Sequence, residues 1–212
     1  YCLQNRWATL GIMQTAGESL EWFKNSFDPQ EKSASKGDIF NQYNESAISV
    51  PEGSEGLIFL PYLNGERTPY WDSKARGVFF GVNLKTGKSH FIRSIMEGVS
   101  FALRNNIETV ESLGINIDEV RAVGGGLKSQ VWLNILGKVL RKPIATVSVS
   151  DTANLGNILL CGHALGIYPS YENAVNKMVS VDQRVDFNAG AEVYEKQYPV
   201  FLELYQRVNS LF

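Results

Sequence analysis

The chain has 212 residues, 44% of them hydrophobic and 20% charged, with a formal net charge of −2. That length is enough to bury a substantial core, and a single domain is expected. Near-neutral charge, with lysines and arginines scattered rather than massed, excludes the electrostatic footprint of a nucleic-acid binder. Cys2 and Cys161 are too few and too far apart for a disulfide framework or a zinc site, so ordinary thiols in a reducing cytoplasm are expected. The apolar stretch 158–168 is interrupted by glycine and histidine and is too short to cross a bilayer, so no membrane partner is expected. The opening YCLQNRWATLGIMQ has neither an initiating methionine nor a basic-then-apolar leader, and it reads as a chain that starts mid-protein.

Along the chain, residues 6–13 predict a strand. GESLEWFKNSF, residues 17–27, predicts a helix with Leu20, Phe23 and Phe27 at helical spacing. From 28 to 56 the sequence turns polar and rich in Ser, Glu and Gly, and Ile39, Phe40, Tyr43 and Ile48 predict a short helix inside an insertion at about 28–56. LIFLPYL, residues 57–63, suits a buried strand closed by Pro61. The clearest periodicity follows: Ile92, Ile95, Met96, Val99, Leu103, Ile107, Val110 and Leu113 step by three or four, with Arg93, Glu97, Arg104 and Glu108 off that stripe. This predicts a long helix, with Ser89 capping its start and Gly114 its end.

Residues 119–123 predict a short strand, and three glycines follow it. Val131, Trp132, Ile135, Leu136, Val139 and Leu140 then mark the inner face of another helix. PIATVSV at 143–149 is strand-like, 152–165 is a small-residue helix and 171–178 a further short one. Residues 191–212 predict a terminal helix that Pro199 kinks or splits. Alternating strands and helices predict an α/β domain with a largely parallel sheet covered by helices.

Two segments carry candidate chemistry. A strand that ends in Gly124, Gly125 and Gly126 and re-enters a helix near Ser129 meets the needs of a phosphate or nucleotide contact: unhindered backbone and a helix N-terminus at the strand's C-terminal edge. The same glycines could equally make a tight connection, since the sequence is neither G-x-G-x-x-G nor a Walker A loop. The second segment, LPYLNGERTPYWDSKARGVFFG at 60–81, concentrates Glu66, Arg67, Tyr70, Trp71, Asp72, Lys74 and Arg76. It is either a functional loop or an ordered surface loop whose charges pair with each other. His90 and His163 read as helix-end or packed histidines, because no triad or metal spacing surrounds either.

GERTPYWDSKARGVFFG, HFIRSIMEGVSFALR and AVGGGLKSQVWLNILGKVLRKPI, in that order and spacing, resemble the C-terminal domain of the FGGY family of carbohydrate kinases; RWATLGIMQTAGESLEWF extends the match towards the N-terminus. The resemblance covers nearly the whole chain. It implies an actin-like, ribonuclease-H-like ATPase lobe with a mixed sheet covered by helices, residues 1–212 forming that single lobe. ATP and Mg²⁺ are the implied cofactors, and a sugar is the implied acceptor, with D-xylulose the best fit and gluconate, ribulose, fuculose or rhamnulose as alternatives. It implies that Gly17, Glu21, Gly124, Gly125 and Ser129 lie at the nucleotide, with Gly126 and Lys128 as neighbours. Glu66 and Arg67 are implied to shape the cleft or brace their loop, and Glu97 to be a structural anchor; no metal ligand is expected. The catalytic base and the phosphate loops are expected in an N-terminal lobe, which becomes the implied partner beside a homodimer, and the isolated chain is expected to be inactive. The alternative is a regulatory module of the same superfamily that binds nucleotide without catalysis.

Overall fold

The 24-residue helix Lys88–Glu111 organises the molecule. In the computed structural model, which describes residues 7–29, 36–149, 151–185 and 190–212, the helices are α1 (Glu18–Phe27), α2 (Lys36–Ile48), α3 (Lys88–Glu111), α4 (Gln130–Leu140), α5 (Thr152–Ala164), α6 (Tyr171–Met178) and α7 (Glu192–Val208). The strands are β1 (Ile58–Leu60), β2 (Val78–Phe80), β3 (Val120–Ala122), β4 (Ile144–Val147) and β5 (Val181–Val185). Cys2 and Arg6 lie outside the described residues.

The apolar stripe read from the sequence turns inward on α3 as far as Val110, while Leu113 lies beyond the helix and is exposed; the first half is buried on every side, Ile92 through Ala102 all being buried. Arg93 and Glu97, expected off the stripe, are therefore core residues. α2 closes over one flank of α3 with Ile39, Tyr43 and Ala47, and α7 over another with Tyr194, Tyr198 and Phe201. A large apolar side chain such as Ile39 or Phe201 contributes about 1.5–3 kcal/mol by leaving water. α3 also approaches β1 closely. An added Cβ at Gly98 would stand 2.2 Å from the Phe59 carbonyl oxygen, so only glycine lets the two backbones meet. The helix is capped two residues earlier than expected: its N-cap is Gly87, whose N–H donates to Nδ1 of His90 at 3.1 Å, and Ser89 lies inside the first turn.

The sheets are mixed rather than largely parallel. β1 and β2 pair antiparallel, with Phe59 and Phe79 in register and their rings stacked at 4.4 Å. In the order β3-β4-β5, the β3–β4 pair is parallel and β4–β5 antiparallel. The topology has a simple cause: α4 supplies the crossover that a parallel pair requires, while the α5–α6 hairpin returns the chain in the opposite direction.

The strand expected at 6–13 is not formed over its described part, 7–13. That segment is held instead by the loop at 66–68. Ile12 donates to Oγ1 of Thr68 at 3.1 Å and accepts from the Thr68 N–H at 3.0 Å. Pro199 does not split the last helix either; α7 runs through it, with the proline on the exposed face, where a displaced carbonyl can turn to water.

Candidate functional site

β3 ends at Ala122, the chain passes through Gly124 into a 3₁₀ turn at Gly125–Lys128, and α4 starts at Gln130. The three glycines differ in what, if anything, requires them. Gly124 has φ +119°, a region that a side chain rarely enters. A Cβ on Gly126 would come within 3.4 Å of the Trp132 ring. Gly125 has neither a positive φ nor a neighbour: a Cβ built there meets no atom within 4 Å. Gly17, the N-cap of α1 with φ −59°, is the same.

Gly17 and Gly125 lie on one groove of about 540 Å³, which Gly124, Gly126 and Trp132 also line. Among the described residues no packing contact requires glycine at those two positions. Both leave bare main chain on the groove, the condition under which a flat ligand can approach a helix entrance closely. The walls are mainly aliphatic. Asn106 brings in an amide from α3; it is buried, and its Oδ1 has no hydrogen-bond partner among the described residues.

The remaining candidates fall elsewhere. Ser129 is the N-cap of α4: its hydroxyl accepts the Trp132 N–H at 3.0 Å and donates to Oδ1 of Asn44 on α2 at 2.6 Å. That cap fixes the turn from behind, and Ser129 does not line the groove. Lys128 is exposed at the end of the turn. Glu21, one turn into α1, is paired with Lys24 at 2.7 Å.

Glu66 and Arg67 separate sharply. Arg67 is exposed, whereas Glu66 is only 3% exposed. Oε1 of Glu66 accepts the Arg67 N–H at 2.7 Å and the Gln14 N–H at 3.1 Å, while Oε2 is buried with no hydrogen-bond partner among the described residues. Burial pushes this carboxyl above the ordinary glutamate value, against the pull of those two amides.

Glu97 has a full set of partners. It accepts from Nε of Arg93 (2.8 Å), the Gly53 N–H (2.9 Å) and the Tyr194 hydroxyl (3.0 Å) on Oε1, and from the Ser54 hydroxyl (2.7 Å) on Oε2. It lies in the core, apart from the groove, as a structural anchor would. The two histidines are also packing residues: His90 caps α3, and Nδ1 of His163 lies 3.0 Å from the Tyr168 carbonyl.

Among the described residues, no group of three or more His, Cys, Asp or Glu side chains is arranged to hold a metal ion. No described helix is long and apolar enough to cross a membrane.

Sequence reasoning found the glycines but missed Asn106 and the groove-facing role of Trp132. A signal for Asn106 existed, since it stands three residues after Leu103 on an otherwise apolar stripe.

With this geometry in place, comparison with known proteins is specific. Residues 1–165 match the profile of the FGGY family of carbohydrate kinases, C-terminal domain. The xylulose kinase of Staphylococcus epidermidis is 30% identical over 203 residues, covering 95% of this chain and 40% of that protein. The gluconokinase of Bacillus licheniformis is 27% identical over 211 residues, covering 98% and 41%. Among solved structures, the xylulose kinase from Rhodospirillum rubrum superposes with a TM-score of 0.82 at 26% identity, over 95% of this chain and 40% of that one. The chain thus spans about 40% of the length of the relatives it matches.

Proposed function

Because the chain belongs to the FGGY family of carbohydrate kinases, matching its C-terminal domain, we propose that it forms the nucleotide-holding wall of an ATP-dependent sugar kinase. Its fold is the actin-like ATPase lobe of the solved relatives, α/β with mixed sheets covered by helices. The observation that carries the reading is the pair of bare positions, Gly17 and Gly125, on one groove with no internal reason to be glycine.

In this proposal adenosine lies in the groove between Gly17 and the 124–126 turn, with Trp132 as part of its apolar wall, and the phosphates follow the main chain at the entrance to α4. Ser129 keeps that turn in place, Lys128 is its exposed neighbour, and Glu21 flanks the start of α1. The chemistry is in-line transfer. The sugar hydroxyl oxygen bonds to the γ-phosphorus as that phosphorus separates from its bridge to the β-phosphate, and the hydroxyl proton passes to a base. That base and most sugar contacts belong to an N-terminal lobe, so this chain's share is binding and alignment. Alignment is the larger part of such catalysis, because phosphoryl transfer asks for positioning and charge stabilisation more than covalent chemistry.

D-xylulose is the proposed acceptor, on the strength of xylulose kinase relatives at 30% identity beside a gluconokinase at 27%. A cytoplasmic location and a homodimer through this lobe complete the proposal. Hydrogen exchange on the full-length protein tests the groove: ADP should protect amides at 124–128, and protection elsewhere alone overturns the assignment. A panel of D-xylulose, gluconate, ribulose and glycerol tests the acceptor. Faster turnover of another member than of D-xylulose replaces it.

A further inference from the structure

The loop at 66–68 reaches across the chain and grips the segment that delivers Gly17 to the groove. Three bonds with plain geometry do this: Gln14 N–H to Oε1 of Glu66 at 3.1 Å, Ile12 N–H to Oγ1 of Thr68 at 3.1 Å, and Thr68 N–H to the Ile12 carbonyl at 3.0 Å. Thr15, the next residue along, donates its hydroxyl to the Pro61 carbonyl. Immediately beyond, Ala16 and Gly17 line the groove and open α1 through the bonds Ser19 N–H to Ala16 O and Leu20 N–H to Gly17 O. Gly11, just before the gripped stretch, also lines the groove.

We infer that Glu66 is a positioning residue for nucleotide binding: through the shared acceptor Oε1 it ties the Gln14 amide to the Arg67 amide and so fixes the Gly11–Gly17 wall of the groove. This rests on the groove being the nucleotide site. A carboxylate oxygen suits the task because it can accept two amide bonds at once, and charge-assisted bonds of this kind are stronger than neutral ones. Loop 66–68 is itself held from within, by Glu66 N–H to the Asp72 carbonyl at 2.8 Å and Asp72 N–H to the Glu66 carbonyl at 2.9 Å. Further out, Tyr205 on α7 donates to Oδ2 of Asp72 at 2.9 Å and stacks on Tyr70 at 3.8 Å. The wall is therefore referenced to the core of the lobe through Glu66, and is not left to a free loop.

The test uses the full-length protein that carries this chain, comparing ADP affinity by calorimetry and the KM values for ATP and sugar in four forms: unaltered, Glu66→Ala, Glu66→Gln and Thr68→Val. Glu66→Ala should weaken ADP about tenfold or more, since two amides lose their acceptor, and Thr68→Val about threefold. Glu66→Gln retains a carbonyl at Oε1 and should stay within about threefold of the unaltered protein. The sugar KM should be unchanged throughout, a split that general loss of structure would not produce. If Glu66→Ala does not fold, Thr68→Val carries the test. An unaltered protein that binds no ADP overturns the groove reading and this inference with it. ADP binding that the substitutions leave untouched, or a loss in Glu66→Gln as large as in Glu66→Ala, overturns this inference alone.

Discussion

Arg93 and Glu97 stand one turn apart on α3, Nε to Oε1 at 2.8 Å, and both are buried in the core. The pair is a junction. Arg93 also donates to the Ala47 and Val50 carbonyls at the end of α2 and to the Tyr194 hydroxyl on α7, while Glu97 accepts from Gly53 and Ser54. Residues 53–56 all have positive φ, including the non-glycines Ser54 and Glu55 at 49°. A stretch that costly in backbone energy persists only where its surroundings determine it, and here Glu97 does so with both carboxylate oxygens.

Removing one partner of this junction should therefore cost far more than removing both. Glu97→Ala strands the Arg93 guanidinium in the core, and a loss of about 3–5 kcal/mol is expected in urea unfolding. Arg93→Met combined with Glu97→Leu leaves no uncompensated charge and should cost less than the single change. A double variant as unstable as the sum of the two single ones would show that the ion pair is not coupled.

The glycines give a contrast within one residue type. Gly98→Ala forces a methyl group to 2.2 Å from the Phe59 carbonyl, so α3 and β1 must separate, and destabilisation of at least about 1–3 kcal/mol is expected. Gly125→Ala meets nothing among the described residues and should leave unfolding within about 0.5 kcal/mol of the unaltered protein. Its effect should appear in ADP affinity instead, with a fall of about tenfold as the new methyl group enters the groove. Equal ADP affinity in Gly125→Ala and the unaltered protein would remove the main support for a nucleotide there.

How far the sequence could be read follows from where its signals originate. α3, α4 and β1 were legible because their burial imposes a period on the residues themselves. β2 and β5 were not: β2 has three residues inside a charged loop, and β5, VDQRV, is exposed at four of its five positions, so neither carries an alternation. The strand expected at 6–13 shows the opposite error, since a β-like composition does not form a strand without an edge to pair with, and its described part is bonded to Thr68 instead. In the site, glycines adjacent in sequence announced themselves. The meeting of Gly17 with Gly125, more than a hundred residues apart, is a tertiary fact that only resemblance could supply in advance. The burial of Glu66 was hidden for the same reason, as it stands beside the charged, exposed Arg67 in a loop rich in polar residues.

That burial sets a pH dependence with a definite sign. The folded carboxyl titrates above its unfolded value because burial outweighs the Arg67 and Gln14 amides. The folded state therefore holds the proton longer, and stability falls as pH rises from the ordinary glutamate value through the higher folded one. Glu66→Gln has no such proton, while the downward-shifted Asp28 and Glu195 are common to both proteins and cancel in the comparison. The unfolding free energy of Glu66→Gln minus that of the unaltered protein should accordingly increase across this window and level off above it. A flat difference would mean that Glu66 titrates normally.

Trp132 offers an optical reading of the groove. It is 9% exposed, lines the groove, lies against Gly126 and donates its backbone N–H to the Ser129 cap, so its indole is part of both the core and the site. The other tryptophans, Trp7, Trp22 and Trp71, do not line that groove. Adding ADP to the full-length protein should change tryptophan emission, and the part of the change that belongs to this groove should vanish in Trp132→Phe. Phenylalanine keeps most of the apolar contact, so that variant should fold with a loss of about 1–3 kcal/mol, below the 3–5 kcal/mol typical of truncation to alanine. An ADP-dependent change that survives unaltered in Trp132→Phe would place the nucleotide away from α4.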